Sequence, residues 1–195
     1  MSSDFIFRGS VVDVDPELNN LLDLEQERQD ATIILVASES ASPEAVQEAM
    51  GSAFANIYAE GYPREESRKL TEEEILDTDW ELALYRRYGD PRYYKGVEYA
   101  DVLEALTRRR AAELFAANGV AAGELYDNVQ PLSGAPANNA VYTALLKPWD
   151  PIMGINHNDC GPLSHGSPVN RSGKIYNADP YIVDPQTQLL ESEAN

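Results

Sequence analysis

The stretch from Asn128 to Ile155 constrains the fold most. Residues 128 to 146, NVQPLSGAPANNAVYTALL, form a turn, SGAPAN, that leads into an apolar helix, and PIMGI, 151 to 155, follows as a strand. YIVD, 181 to 184, is a second strand candidate. A helix that delivers the chain to one strand, with another strand beyond, predicts an α/β class: the opening of a domain built on a parallel sheet. A length of 195 residues suits one domain or a domain with an appendage, and a 43% hydrophobic content is enough for a core. The sequence ends in LLESEAN before the later strands that such a sheet needs.

Upstream, PELNNLLDLEQERQD (16 to 30) places Leu18, Leu21, Leu22 and Leu24 on one helical face. TIILVAS (32 to 38) is a short β-prone run, and Ser42-Pro43-Glu44 reads as a serine-capped helix start, with the helix reaching about Met50. Segment 64 to 91 reads as an insertion with its own helix: Thr71 and Glu74 have capping-box spacing, and Ile75, Leu76, Trp80, Leu82 and Leu84 supply apolar contacts. A helix over 98 to 117 is expected to turn Val102, Leu103, Leu106, Leu114 and Phe115 inward and Arg108, Arg109 and Arg110 outward. The expected organisation is an arm and loop over 1–63, a helical insertion over 64–91, and the incomplete start of a large domain over 92–195.

Between arm and insertion lies YAEGYP, Tyr58 to Pro63. Gly61 and Pro63 stop a helix, so Tyr58, Glu60 and Tyr62 belong to a fixed loop. Tyrosine beside a carboxylate suits proton transfer; the same letters also fit a surface turn whose tyrosines rest on the core. Ser133-Gly134-Ala135 opens a helix with small side chains, where free N–H groups and the helix dipole favour a phosphate. A second Gly-, Ser- and His-rich loop, HNDCGPLSHGSPVNRSGK, follows the first strand, and polar loops at strand ends are where α/β proteins bind ligands.

The net charge of −18, from 33 acidic and 15 basic residues, repels phosphate backbones and argues against nucleic-acid binding. Any anion site must therefore be local. Only four basic residues are lysines: Lys69, Lys95, Lys147 and Lys174. No run approaches the roughly 20 apolar residues that span a bilayer, and MSSDFIFRGSVVDVDPE has no secretory pattern, so no membrane association is expected and the cytoplasm is the expected compartment. A single cysteine, Cys160, excludes an internal disulfide and a cysteine-based zinc cluster, and no metal site is expected. His157 and His165 lie near it in sequence, which leaves a catalytic pair or a passive thiol as alternatives.

VASESASPEAVQEAMGS, NIYAEGYP, RYYKGVEYADVLEAL, RAAELFAANG, NVQPLSGAPANNAVYTALLKP and SHGSPVNRSGKIYN stand in the order they have in serine hydroxymethyltransferases, and the chain resembles that family over about residues 18 to 190. The resemblance implies the N-terminal part of a pyridoxal-phosphate-dependent transferase of the aspartate-aminotransferase fold type. It also implies serine–glycine interconversion, tetrahydrofolate as the one-carbon carrier, and a homodimer or tetramer. By the same resemblance Glu60 handles protons in the folate-dependent step, and Tyr58 reaches the cofactor phosphate of a neighbouring subunit. Ser133, Gly134 and Ala135 cradle phosphate, Ser38 and Tyr94 contact the amino acid, and His157, Gly161, Pro162 and Leu163 fall among cofactor-stacking and folate-contacting positions.

The departures are specific. The family's PHSGSQAN reads PLSGAPAN here, so Ala135 lacks a hydroxyl, and HGGHLTHGS reads DCGPLSHGS, so Pro162 replaces the histidine that stacks on the cofactor. The 28 residues from Arg64 to Pro91 stand where the family has a short link. The lysine, aspartate and arginine of the family's cofactor chemistry match no residue here. The resemblance thus leaves two alternatives: the N-terminal part of an active transferase, or a catalytically incomplete fragment or degenerate copy.

Overall fold

Pro16 at the first turn of a helix, with Asp15 accepting a hydrogen bond from the Leu18 N–H at 2.9 Å, sets the start of the longest element of the N-terminal unit. A computed structural model describes residues 9–89, 91–187 and 189. The chain forms two compact units, Met1–Ile57 and Tyr58–Asn195. The first holds α1 (Val11–Val14), α2 (Pro16–Asp30), α3 (Glu44–Met50) and a 3-10 turn over Ala53–Asn56. Helix α2 fulfils the expected boundaries, but its leucines stay exposed: none of the described residues of this unit is buried.

Two local expectations fail here. Residues 32–38 form no strand, and Ile33 and Leu35 stand in solvent, because no neighbouring strand pairs their backbone. Helix α3 is entered through Pro43 rather than capped by Ser42; the Ser42 carbonyl instead accepts from Gln47 Nε2 at 2.9 Å.

The second unit is arranged around α6 (Glu98–Phe115). A 3-10 turn over Glu65–Lys69, α4 (Glu72–Leu76), α5 (Thr78–Tyr88) and a 3-10 turn over Ala122–Glu124 all pack on α6. Segment 64–91 is helical, as its sequence predicts, and Ile75 is nearly inaccessible at 1% exposure, while Leu76 and Trp80 remain exposed. The salt bridge Arg110–Glu72 (2.5 Å) ties α4 to α6, and Arg64–Glu81 (2.8 Å) ties the start of the segment to α5.

The face that α6 buries is not the expected one. Ala105, Arg108 and Ala112 are buried, whereas Leu103, Leu114 and Phe115 are exposed. Small residues let the flanking segment approach closely, and a 3-4 spacing places 105, 108 and 112 on one stripe. Arg108 is therefore an inner residue. Arg109 and Arg110 pair outward with Glu113 and Glu72.

Helix α7 (Gly134–Leu145) leads to β1 (Pro151–Ile155), and α8 (Arg171–Ile175) to β2 (Asn177–Tyr181). The strands are parallel, with Ile152 opposite Ala178 and Ile155 opposite Tyr181. Hydrogen bonds from Asn177 N–H to the Asp150 carbonyl (3.1 Å) and from Asn156 N–H to the Tyr181 carbonyl (2.9 Å) continue the ladder at both ends. Of the expected strand 181–184 only Tyr181 belongs to β2, which begins earlier, at Asn177. Among the described residues no helix is long and apolar enough to cross a membrane.

The capping box predicted from Thr71 and Glu74 forms. The Thr71 hydroxyl accepts from the Glu74 N–H at 3.2 Å, and Glu74 accepts from the Thr71 N–H at 2.7 Å. We expect Thr71→Ala to lower stability by about 1 kcal/mol, read as a shift in the urea midpoint. The two hydrogen bonds from Thr71, backbone first and then side chain, hold the Glu74 carboxyl below its ordinary range. A depressed carboxyl contributes stability above its unfolded pKa and loses it as pH falls through the folded value. The difference between wild type and Thr71→Ala should therefore be full at neutral pH and shrink in acid. An undiminished difference at low pH would contradict the assignment.

Candidate active site

Gly61 sits at φ +109°, a left-handed conformation that favours glycine, and a Cβ there would lie 3.0 Å from the Arg92 Cα. That close approach brings the Tyr58–Pro63 loop against the RYY motif. The Tyr93 N–H donates to the Glu60 carbonyl at 3.0 Å, and the Tyr58 and Tyr94 rings lie 5.4 Å apart, tilted by 36°. Arg92 locks the arrangement. Its Nη1 donates to the carbonyls of Ala59 (2.6 Å) and Gly61 (3.1 Å), its Nε to Asp101 (2.6 Å), and its Nη2 to Glu104 (2.8 Å). The residue is 4% exposed. Burial works against its charge, but the Glu104 and Asp101 carboxylates prevail and raise its pKa.

Gln130 extends this clamp toward the next motif. Its side-chain amide donates to the Gly61 carbonyl at 2.7 Å and to Glu104 at 3.0 Å. Three residues later, Ser133 caps α7 in an extended conformation, and its hydroxyl makes no capping hydrogen bond. Nothing lies within 4 Å of the position a Gly134 Cβ would take, so the helix N-terminus is open to a ligand. Pro136 contributes no N–H, which leaves the Gly134 and Ala135 amides and the Ser133 hydroxyl as donors.

Helix α7 also holds the second loop. Asn138 donates to the Ser164 hydroxyl at 2.7 Å, and the Tyr142 hydroxyl meets His165 Nδ1 in a short contact. Burial pushes the Tyr142 phenol up, so it stays protonated. His157 Nδ1 lies 3.0 Å from the Gly161 carbonyl, closing a tight turn after β1 with Cys160 in a left-handed conformation. His157, Pro162 and Leu163 face solvent, and Gly161 is buried. Ser172, fully buried, accepts from the Gly166 N–H at 3.0 Å and donates to Asn170 at 2.9 Å, which fixes the SHGSPVN loop.

The named positions thus fall into three places. Tyr58, Glu60 and Tyr94 come together. Ser133, Gly134 and Ala135 begin the helix that carries the 157–163 loop's neighbours. Ser38 lies in a turn of the other unit. Arg92, Glu104, Gln130, Asn138 and Tyr142 carry the geometry and were not singled out by sequence reasoning. Cys160 is exposed, and the ring nitrogens of both histidines meet other partners: His165 the Tyr142 hydroxyl and His157 the Gly161 carbonyl. No group of His, Cys, Asp and Glu among the described residues could hold a metal ion.

A cavity of about 560 Å³ lies between the strands and the second loop, lined in part by His157, Pro162, His165 and Tyr176. Among the described residues none that lines it is Lys, Arg, Asp or Glu, and all four lysines of the chain are exposed. The donors at Ser133–Ala135 suit the phosphate of a pyridoxal cofactor. The cavity offers no amine for its aldehyde, no carboxylate for its ring nitrogen and, at Pro162, no ring to stack on it. Ser133, Gly134 and Ala135 do not line that cavity; they fit the phosphate end of that group, and the described lining of the cavity does not fit its reacting end.

A family model described as serine hydroxymethyltransferase matches the chain in two segments, residues 11–87 and 84–194, which meet within α5.

Proposed function

The chain belongs to the serine hydroxymethyltransferase family, a family of transferase enzymes, and on that premise we propose that it forms the N-terminal part of a glycine hydroxymethyltransferase that interconverts serine and glycine with tetrahydrofolate. The observation that supports this reading is the Arg92 clamp on the Ala59 and Gly61 carbonyls, which holds the Tyr58–Pro63 loop against the segment that carries Tyr94. Glu60 is the acid–base residue for the folate-dependent step, and Tyr58 and Tyr94 orient phosphate and amino acid. Ser133, Gly134 and Ala135 take the cofactor phosphate, Ser38 contacts the amino acid, and His157, Gly161, Pro162 and Leu163 border the folate. Pyridoxal phosphate is the family's cofactor, and the fold type is that of the aspartate aminotransferases.

The proposed organisation is an arm and loop over 1–63, a helical insertion over 64–91 and the start of the cofactor domain over 92–195. The exposed leucines of α2 support a homodimer or tetramer, and the cytoplasm is the proposed compartment.

A second reading is favoured by one observation: among the described residues the cavity lining holds no Lys, Arg, Asp or Glu for the cofactor's reacting end. On that reading these residues are a non-catalytic portion. The two are separated by assaying glycine formation from serine and tetrahydrofolate. On the first reading the protein turns over, and on the second it does not. Glu60→Gln should reduce exchange by about a hundredfold or more, the range of a lost general acid–base. An unchanged rate in that variant would overturn the role of Glu60, and no turnover by the protein itself would establish the non-catalytic reading.

A further inference from the structure

Segment 64–91 stands between the YAEGYP and RYYKG motifs and reaches forward into the second of them. The Gly96 N–H donates to the Tyr85 hydroxyl at 2.8 Å. Tyr85 lies on α5, within the segment, and Gly96 lies two residues beyond Tyr94. From Pro91 to Gly96 the chain belongs to no helix or strand, so no regular ladder fixes its path. Its backbone is tied instead on both sides of Tyr94. The Tyr93 N–H donates to the Glu60 carbonyl at 3.0 Å, and the Gly96 N–H to Tyr85. Between these two ties the Tyr94 ring lies 5.4 Å from that of Tyr58. Gly96 has φ +82°, a left-handed conformation that favours glycine and lets the chain turn at the second tie.

The Tyr85 hydroxyl is carried on a held element. Helix α5 packs on α6, and Tyr85 is half-buried. One turn earlier on the same helix, both Glu81 carboxylate oxygens accept from Arg64 Nη2, at 2.9 and 2.8 Å. Arg64 follows Pro63 directly. The helix is therefore tied through Glu81 to the end of the Tyr58–Pro63 loop and through Tyr85 to the loop that carries Tyr94. Pro63, Glu81, Tyr85 and Pro91 line one small cavity of about 30 Å³, which places the ends of both loops beside α5.

We propose that Tyr85 is a positioning residue for Tyr94: through the Gly96 N–H it holds the Tyr93–Gly96 segment where Tyr94 faces Tyr58. Segment 64–91 is then a brace of the amino-acid site and not only a surface excursion. The inference rests on the reading above, in which Tyr94 contacts the amino-acid substrate. Tyr85 acts through Gly96 and not on the substrate. Without the hydroxyl, the Tyr94 segment has to be ordered anew each time the amino acid binds, and that ordering entropy weakens the affinity.

The test compares the protein with Tyr85→Phe, which removes the hydroxyl and keeps the ring. KM for serine is expected to rise about three- to tenfold, the range of one lost hydrogen bond, with kcat within about twofold of wild type and KM for tetrahydrofolate unchanged. Amide exchange followed by NMR needs no turnover: Gly96 should exchange faster in the variant, while the amides of α6 keep their protection. Ile75→Val, which disturbs the packing of the segment and leaves the hydroxyl, should lower the melting temperature and not alter KM for serine. An unchanged KM for serine in Tyr85→Phe, an equal rise in Ile75→Val, or unchanged exchange at Gly96 would each overturn the proposal. A wild type that neither binds nor turns over serine would overturn the hydroxymethyltransferase reading instead, and the exchange at Gly96 would still decide whether Tyr85 holds the segment.

Discussion

Arg92→Met is expected to lower stability by about 3–5 kcal/mol, the usual cost of removing one partner from a buried ionic cluster. The side chain is 2% exposed, and its loss removes the cation that Asp101 and Glu104 share. It also removes the donors to the Ala59 and Gly61 carbonyls, so the Tyr58–Pro63 loop loses its anchor as well as its charge balance. For a chain of this length the melting temperature should drop by roughly 6–20 °C. Arg92→Lys should recover little, because an ammonium cannot present a planar fork to two carboxylates and two carbonyls at once. Calorimetry of the two variants checks both statements, and a Met variant within about 1 kcal/mol of wild type would mean that the clamp is not what holds the loop.

Much of this architecture was legible in local sequence. Pro16 and the leucine spacing placed α2, Thr71 and Glu74 placed α4 with its capping box, and PIMGI placed β1. These signals are short-range: a cap, a turn or a periodicity is complete within one or two helical turns. The failures depend on partners distant in sequence. Residues 32–38 have the composition of a strand, but a strand needs a neighbour. On α6 the apolar letters pointed to Leu103 and Phe115, whereas packing selected the small residues 105 and 112 and drew Arg108 inward with them. Side-chain volume and the approach of the 64–69 segment decided that face, and neither is encoded in the helix itself.

The site divides in the same way. Tyr58, Glu60 and Tyr94 were recognisable from their motifs, but the reason they meet was not. Arg92 reaches back 33 residues to Ala59, and Gln130 reaches back 69 residues to Gly61. The signal that could have found them was their position: Arg92 opens the RYY motif, and Gln130 lies inside NVQP. A positively charged residue beside a glycine–proline loop gives no hint of whether it points out or in. Its carboxylate partners, Asp101 and Glu104, lie three residues apart on α6, a spacing that also fits an ordinary solvated helix face.

Gly161→Ala and Gly134→Ala should separate stability from ligand binding. A Cβ on Gly161 would lie 1.9 Å from the Ile155 carbonyl oxygen and 2.8 Å from that of Asn156. Both obstacles are backbone at the end of β1, so no side chain can rotate away, and the Asn156–Gly161 turn must open. Opening it breaks the hydrogen bond from the Gly161 N–H to the Asn156 carbonyl (3.0 Å) and displaces His157 from the Gly161 carbonyl. The expected cost is about 3 kcal/mol, the upper end for overpacking, with melting lowered by roughly 6–12 °C. Gly134→Ala adds the same methyl where nothing lies within 4 Å, in a helical first turn that alanine favours. Its stability should be unchanged or slightly raised. Yet that methyl stands beside the Gly134 and Ala135 amides, where the proposed phosphate must approach. Cofactor affinity should therefore fall at least tenfold, about 1.4 kcal/mol, in the Gly134 variant, with melting in the absence of cofactor intact. Equal affinity in that variant and wild type would place the phosphate somewhere other than the start of α7.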